Sequence, residues 1–271
     1  MTNNLFRNKI VVITGGNSEL SKALALQAAL QKADVILVGS QKEDIFKFIK
    51  SLEQIKKKMG RVTAAIGDMS TREGCDLIFK EIKKSAPTFE ILINNSSDFV
   101  AKKIEEMKSE EIRKIIDKNV TGNILLTKSA LPILRSNKKP GIINISSFHG
   151  KVALPYFSLY ASTQFAFNGF MESLKREFAG EQLRFLNVYI SGVISDDNEG
   201  LAQKMQKIGF RYDKPEPVAT KIIEAYNEMR KELVLGSKER GLIFWNGLMQ
   251  SNVDNKMKAI KSKILNATAE L

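Results

Sequence analysis

Residues 9–21 read Lys-Ile-Val-Val-Ile-Thr-Gly-Gly-Asn-Ser-Glu-Leu-Ser, and this stretch decides the fold. Residues 9–13 form an apolar run typical of a short buried strand, and a helical pattern of apolar residues starts at Leu20. A glycine turn lies between the two. Free backbone N–H groups at the start of a helix attract anions, so this strand–turn–helix context predicts a site for the pyrophosphate of a dinucleotide.

The alternation of strand and helix continues along the chain. The predicted strands are Lys9–Ile13, Asp34–Val38, Val62–Ile66, Ile91–Asn94, Ile142–Ser146 and Phe185–Ile190, with Leu233–Leu235 as a seventh. The predicted helices are Leu20–Gln31, Glu43–Met59, Arg72–Ser85, Glu110–Arg135 and Tyr156–Phe178. Strands that alternate with helices pair in parallel through right-handed crossovers. We therefore predict an α/β fold, a Rossmann-type doubly wound parallel sheet with helices on both faces, in a single domain over residues 1–271.

The last fifth of the chain departs from this alternation. Glu199–Lys214 is polar, Pro217–Arg230 predicts a helix with proline near its start, and a basic amphipathic tail follows. We therefore divide the domain into a nucleotide-binding and catalytic core, residues 5–195, and a substrate-lid and C-terminal helical segment, residues 196–271.

Composition is that of an ordinary globular protein, with 43% hydrophobic and 27% charged residues among 271. Met1–Asn8 is short and polar, so no secretory signal is predicted, and no apolar run reaches the roughly 18 residues that span a bilayer. Cys75 is the only cysteine, which fits a reducing compartment. We expect a cytoplasmic location and predict no metal site.

The net charge of +12 leaves nucleic acid, an anionic membrane surface or an anionic small ligand as partners. The lysines are spread over helix faces among glutamates, as in residues 80–84, so nucleic-acid binding is disfavoured. In the tail, Met257, Ile260 and Ile264 recur at helical spacing among lysines. This pattern fits peripheral contact with an anionic membrane, and equally fits packing onto protein as a lid or subunit contact.

Several stretches resemble motifs of the short-chain dehydrogenase/reductase family. Residues 14–21 are similar to its Thr-Gly-x-x-x-Gly-x-Gly turn, although Glu19 and Ser21 replace the second and third glycines. Residues 94–97, Asn-Asn-Ser-Ser, resemble its Asn-Asn-Ala-Gly turn. The resemblance covers about residues 5–195, with a local likeness to the 11-beta-hydroxysteroid dehydrogenase-like branch. That branch implies an apolar substrate, and the family implies a homo-oligomer.

The resemblance also implies which residues bind the nucleotide. They are Thr14, Gly15, Asn17, Ser18, Leu20, Ser40, Lys42, Asp68, Met69, Asn95, Ser96, Ser97, Gly192 and Ile194. NAD enzymes usually place an acid after the second strand, but residues 39–42 are Gly-Ser-Gln-Lys. Ser40 and Lys42 can both donate to a 2′-phosphate, so we predict NADP(H) rather than NAD(H). A plain loop with a solvated lysine is the alternative interpretation.

Ser147 and Tyr160, thirteen residues apart, match the family's catalytic centre together with Asn119. The resemblance implies that Tyr160 exchanges a proton with the substrate oxygen, that Ser147 hydrogen-bonds this oxygen, and that Asn119 anchors a water. The family's lysine, which holds the nicotinamide ribose and lowers the tyrosine pKa, is replaced by Gln164.

The loss of that lysine has a calculable consequence. A cation about 4 Å away is worth about 4 kcal/mol at an effective dielectric constant of about 20, which is close to three pKa units. Tyr160 is therefore expected to stay protonated at neutral pH, which favours carbonyl reduction over alcohol oxidation. We expect weak activity that improves in Gln164→Lys.

Two hypotheses remain for the function. The first is an NADP(H)-dependent reductase of a small apolar carbonyl compound; the second is a non-catalytic relative, without cofactor, that binds a ligand or a protein. After the sixth strand, Ser191-Gly192-Val193-Ile194-Ser195 replaces the family's Pro-Gly-x-x-Thr-like turn. His149, the only histidine, lies two residues from Ser147 and is either a general acid–base or a loop residue of the pocket.

Overall fold

A seven-stranded parallel sheet forms the centre of the molecule in the computed structural model, which describes residues 4–268. Its strands are β1 (Ile10–Thr14), β2 (Asp34–Gly39), β3 (Val62–Ile66), β4 (Ile91–Asn94), β5 (Gly141–Ser147), β6 (Arg184–Ile190) and β7 (Glu232–Val234). Their order in the sheet is β3-β2-β1-β4-β5-β6-β7. This is the doubly wound parallel sheet that the alternation of strands and helices predicts, and the predicted fold class is confirmed.

Ten helices are described between residues 4 and 268. They are α1 (Glu19–Leu30), α2 (Lys42–Leu52), α3 (Arg72–Ser85), α4 (Ser109–Ile116), α5 (Asn123–Arg135), α6 (Ser158–Glu177), α7 (Glu199–Lys207), α8 (Pro215–Asn227), α9 (Ser237–Leu248) and α10 (Gln250–Thr268). One face of the sheet packs on α1, α2 and α8, and the other packs on α3, α5 and α6. Alternate strand residues therefore enter opposite cores, as Val11 and Val12 do.

Three predicted elements differ from the observed ones. The helix predicted at Glu43–Met59 ends at Leu52, and the chain then reaches Gly60, which lies so close to the Ala33 carbonyl that a Cβ would overlap it. The helix predicted at Glu110–Arg135 contains a π-helical turn over Asp117–Gly122. The polar stretch 199–214 contains α7, whose helical spacing of buried residues is diluted by charged ones.

A third apolar cluster covers the carboxyl edge of the sheet. Leu201 and Met205 of α7 and Val253 and Met257 of α10 pack with Phe148 and its neighbours there. The apolar side of the basic tail is thus used for packing onto the protein. Across residues 4–268, no helix is both long enough and apolar enough to cross a membrane.

Candidate functional site

A cavity of about 740 Å³ lies along the edge where the carboxyl ends of the strands meet. Its walls come from the turn after β1, the start of α2, the loop after β4, the ends of β5 and β6, and helices α6 and α7. Open α/β sheets bind ligands at this edge, near the point where the strand order reverses, which here lies between β1 and β4. The volume falls within the ~300–1,000 Å³ of small-molecule sites.

Gly15 shapes the turn between β1 and α1. Its φ of +71° disfavours any residue with a side chain, and a Cβ there would lie 2.7 Å from the Asn95 carbonyl oxygen. Thr14 ties the same two turns together, since its Oγ1 accepts hydrogen bonds from the backbone N–H groups of Asn95 (3.0 Å) and Ser96 (3.1 Å). Residues 17–20, at the start of α1, are left facing the cavity.

Ser21, at the third glycine position, is held in the turn by hydrogen bonds of its side chain. Its Oγ donates to the Thr14 carbonyl at 2.9 Å and accepts from Asn95 Nδ2 at 2.8 Å. The same amide donates to Ser18 Oγ at 3.0 Å, while Ser18 caps α1 by accepting from the Ser21 backbone N–H at 3.1 Å. The serines thus cross-link the turn instead of blocking it.

Glu19, at the second glycine position, faces the cavity and forms an ion pair with Lys22. Lys22 Nζ donates to Glu19 Oε1 at 2.9 Å and to Asp44 Oδ1 at 2.8 Å, and its side chain is only 13% exposed. Burial alone would lower the pKa of Lys22, but its hydrogen bonds to the two carboxylates raise that pKa overall. The start of α1 therefore carries a Glu–Lys–Asp cluster, whose charges sum to −1.

The start of α2 presents an unexpected acid to the cavity. Gln41 and Asp44 line it, whereas Ser40 and Lys42 are exposed outside its lining. Asn17 orders this loop, because its Oδ1 accepts from the backbone N–H groups of Ser40 (3.1 Å) and Gln41 (3.3 Å). Ser40 and Lys42, on which the prediction of NADP rests, thus flank residues of the cavity wall without belonging to it.

Asp68 and Met69 lie in the segment directly after β3. A hydrogen bond from the Ser70 backbone N–H lowers the pKa of Asp68, and its attraction to Lys118 adds to this. Met69 is buried, and its carbonyl lies against Gly122 of the π-helical turn, where a Cβ would overlap it. Both residues lie outside the cavity lining.

Tyr160 and Ser147 are brought together at the chemical end of the cavity. Burial raises the pKa of Tyr160, and side-chain hydrogen bonds with Ser147 and Ser97 only partly offset this. The tyrosine is therefore protonated at neutral pH. Phe99 covers it edge-on at 5.1 Å between ring centroids. A protonated hydroxyl with two hydroxyl partners in an apolar surround can act as a proton donor.

Both polar atoms of the Gln164 side chain are hydrogen-bonded to neighbouring serines. Its Oε1 accepts from Ser147 N at 2.9 Å and from Ser146 Oγ at 3.1 Å, and its Nε2 donates to Ser97 Oγ at 2.9 Å. Ser97 therefore links Gln164 to Tyr160. Two departures from the family pattern, a serine for glycine and a glutamine for lysine, are hydrogen-bonded to each other.

Asn119 lies in the π-helical turn, a feature often found at functional sites. Its Nδ2 donates to the Asp98 carbonyl at 2.8 Å and to Thr163 Oγ1 at 3.2 Å, and its Oδ1 accepts from Asp98 N at 2.7 Å. The side chain thus fixes the loop that carries Ser97. It does not line the cavity.

His149 is an aromatic packing residue. Its ring stacks on Phe157 at 4.5 Å and meets Tyr160 edge-on at 5.6 Å. Burial lowers its pKa to about 3, and Nδ1 has no hydrogen-bond partner among the described residues. The imidazole is therefore neutral at physiological pH. It lies outside the cavity lining, so neither interpretation from the sequence matches its position.

The turn after β6 is held without the family's proline. The Ile194 backbone N–H donates to the Asp213 carbonyl at 2.9 Å, and the Asp213 N–H donates to the Gly192 carbonyl at 3.1 Å. A Cβ on Gly192 would lie 2.5 Å from the Tyr212 ring. Tyr212 itself lines the cavity, and burial raises its pKa.

The predicted site residues divide into two groups. Those that line the cavity are Asn17, Ser18, Leu20, Asn95, Ser97, Ser147, Tyr160, Gln164 and Gly192. Those outside its lining are Thr14, Gly15, Ser40, Lys42, Asp68, Met69, Ser96, Asn119 and Ile194. The sequence analysis missed Lys22, Asp44, Phe99 and Tyr212. Asp44 is an acid soon after β2, but its place in the first turn of α2 is equally explained by the helix dipole.

Comparisons with known proteins agree with this geometry. The family described as "short chain dehydrogenase" matches residues 9–206. The chain is 29% identical to dehydrogenase/reductase SDR family member 7B of Xenopus laevis over 83% of this chain and 73% of that protein. It is 27% identical to glucose 1-dehydrogenase 2 of Bacillus subtilis over 78% and 84%.

Among solved structures, L-sorbose reductase of Gluconobacter frateurii, complexed with NADPH and L-sorbose, superposes with a TM-score of 0.75. It is 21% identical, and the match covers 86% of this chain and 96% of that one, so this likeness concerns the fold. The family match spans both the nucleotide turn and the Ser147–Tyr160 pair. The chain belongs to the short-chain dehydrogenase family, whose members are NAD(P)-dependent oxidoreductases.

Proposed function

We propose that this protein reduces a carbonyl group on an apolar substrate with a nicotinamide dinucleotide, NADPH in preference to NADH. The observation that carries the proposal is the Tyr160 hydroxyl, held protonated by burial and bonded to Ser147 and Ser97 beside a cavity at the carboxyl edge of the sheet. The bound nicotinamide would supply the hydride.

The residues present fit a dinucleotide. Gly15 keeps the turn clear, and Glu19 and Leu20, whose first-turn N–H groups precede the first helical hydrogen bond of α1, line the cavity. Lys22 offers a cation near the anionic end, although it is engaged by Glu19 and Asp44. Lys42 and Ser40 support NADPH if the α2 loop closes on the nucleotide, and the NADPH complex of L-sorbose reductase supports it by analogy.

Proton delivery is assigned to Tyr160. Ser147 would hold the substrate carbonyl oxygen beside the phenol, so that the oxygen receives the proton as negative charge develops on it. Ser97 accepts from Gln164 and leaves its own proton free to donate to the Tyr160 oxygen. This series of hydrogen bonds from Gln164 through Ser97 would stabilise the tyrosinate left after proton transfer, and would partly replace the charge of the missing lysine.

An apolar substrate fits the rest of the cavity. Phe99, Val193, Leu201 and Tyr212 line it near the chemical end. Leu201 belongs to α7, within the segment 196–268 that we propose as a substrate lid. A carbonyl carbon between the phenol and these apolar side chains would be shielded from water, which strengthens the hydrogen bonds to its oxygen.

Nucleotide binding provides the first test of this proposal. NADPH at about a hundred times its dissociation constant should stabilise the folded protein by about 2.7 kcal/mol and raise its melting temperature. NADH at the same concentration should raise it less. Consumption of NADPH would then be followed with a panel of apolar ketones and aldehydes. No melting shift with either nucleotide would contradict the proposal.

A non-catalytic ligand-binding or scaffold role is the second candidate. It is favoured by Gln164, whose Oε1 and Nε2 both bond to serines of the protein and which supplies no charge to a ribose or to Tyr160. Nucleotide binding without turnover on any carbonyl compound would support it. Loss of binding in Gly15→Ala would then place the ligand in the same cavity.

Two further expectations stay predictions. A homo-oligomer is implied by the family and is testable by sedimentation equilibrium.

The other expectation is that an otherwise cytoplasmic protein makes peripheral contact with an anionic membrane. The surface proposed for this contact is no longer the apolar side of α10 but the end of α9. Met257 and Ile264 of α10 are buried, whereas Phe244, Leu248 and Met249 at the end of α9 are exposed. Liposome sedimentation of Leu248→Glu against the unaltered chain would test this surface.

A further inference from the structure

A second cavity, of about 610 Å³, lies between the loop after α7 and helices α9 and α10, and it shares no lining residue with the first. Its apolar wall consists of eight side chains, namely Phe148, Ile208, Phe210, Leu242, Trp245, Val253, Met257 and Ile260. Its volume is again typical of a small-molecule site. The proposed reductase function does not use it.

The polar side chains of this second cavity give it a positive balance. Lys238 and Lys256 line it, and neither forms an ion pair with any side chain described between residues 4 and 268. Glu239 is its only acid, and Arg211, which also pairs with Asp213, lies close enough to attract that carboxylate. The two lysines are thus left to meet an anion from outside.

Exposed apolar residues stand beside the second cavity. Trp245 lines it and is nevertheless 49% exposed, and its α9 neighbours Phe244 and Leu248 are exposed as well. Contiguous apolar surface of this kind is uncommon on a monomer and marks a contact site. An occupant of this cavity should therefore be largely apolar, to match the lining and the exposed residues beside it. It should also carry a negative charge, to pair with Lys238 and Lys256.

We infer that this second cavity binds a single-chain amphiphile with an anionic head, of the class of long-chain carboxylates. The alkyl chain lies against Phe148, Met257 and Ile260, and the carboxylate meets Lys238 and Lys256. A long-chain alcohol would bury the same chain without pairing the lysines. A short carboxylate would pair them without filling the wall.

Trp245 makes the inference directly measurable, because it is the only tryptophan of the chain. Dodecanoate, kept below its self-association concentration, should change the Trp245 fluorescence along a saturable curve. Dodecanol should bind about tenfold more weakly, and butyrate should not bind. Replacing both lysines, in Lys238→Gln/Lys256→Gln, should weaken dodecanoate about tenfold and leave dodecanol unchanged. Lys258→Gln/Lys261→Gln, also on α10, is the charge-matched control.

A blocking variant separates binding in the cavity from binding at the surface. Gly241 lines the cavity, and a Cβ there meets nothing within 4 Å, so Gly241→Leu should fill the space without distorting α9. Gly247→Leu makes the same change on the exposed part of α9 and should bind normally. Equal binding by the two variants, equal affinity for the alcohol, or a signal only above self-association would overturn the inference. None of these readouts requires reductase activity.

Discussion

At the scale of single residues, Gln164 and Ser97 act as one unit. The family's lysine cannot simply be restored, because Gln164 Oε1 accepts from Ser147 N and Ser146 Oγ, and an ammonium group has no acceptor. Lysine at position 164 would leave these buried donors unpaired, at a cost of about 1–3 kcal/mol each. Ser97 would also hold the new ammonium away from a bound ribose.

We therefore predict non-additive effects of substitution at these two positions. Gln164→Lys alone should lower stability and raise kcat/KM for reduction little, whereas Gln164→Lys/Ser97→Gly should raise it about tenfold or more above the product of the single effects. The cycle is measured by carbonyl reduction and by urea unfolding of all four proteins. Additive effects on kcat/KM would show that Ser97 and Gln164 act independently.

The resemblance to the family's motifs predicts the Ser147–Tyr160 pair, and both residues line the cavity. It does not predict Asp44, because an acid in the first turn of a helix is equally explained by the helix dipole. It also cannot show that Ser97 contacts Gln164, since 67 residues separate them and only packing of the loop after β4 against α6 joins them.

At the scale of elements, the β1–α1 turn depends on the close approach of the β4 loop. Gly15 combines a left-handed backbone with a Cβ position 2.7 Å from the Asn95 carbonyl oxygen. Ser21 and Ser18 then fasten the turn through Asn95 Nδ2. Of the residues at the two missing glycine positions, Ser21 joins this hydrogen-bond network and Glu19 pairs with Lys22.

Gly15→Ala is predicted to lower the free energy of unfolding by about 1–3 kcal/mol, because the left-handed backbone and the close carbonyl both oppose a Cβ. It should also weaken nucleotide binding. Gly169→Ala is the control, since Gly169 is exposed within α6 and a Cβ there meets nothing within 4 Å. That change should be neutral or stabilising by up to about 1 kcal/mol. Both are measured by chemical unfolding, and equal stability would contradict this account of the turn.

The apolar period of the sequence predicts the bounds of an element correctly where that period is clear. The prediction is wrong where a contact between residues distant in sequence determines the local structure. β3, α3 and β4 lie where the apolar pattern predicts them. The apolar pattern does not predict the π-helical turn at Asp117–Gly122. This turn holds Asn119 in a hydrogen bond with Asp98, and a contact between residues so far apart in sequence leaves no periodic signal. The polar residues of α7 obscure its helical period in the sequence. Only its three buried residues, Leu201, Ala202 and Met205, follow that period.

At the scale of the whole molecule, helices α7, α9 and α10 close the carboxyl edge of the sheet. Their apolar residues form one cluster with Phe148 and Tyr160, so the C-terminal segment and the catalytic loop share a core. The sequence predicts residues 196–271 as a lid or contact surface, but it predicts neither α7 as a helix nor the second cavity. That cavity depends on how α9 and α10 pair, which periodicity does not define.

Proton donation by Tyr160 is the central claim, and the pH dependence of carbonyl reduction by the unaltered protein and Tyr160→Phe tests it most directly. A raised pKa keeps the donor protonated, so the unaltered rate should stay level through neutral pH and fall only above the ordinary tyrosine value of about 10. Tyr160→Phe should lose about 10²–10⁴-fold at every pH where the phenol of the unaltered protein is protonated, while still binding NADPH. Equal rates for the two proteins, or a rate that rises as the phenol ionises, would contradict the claim.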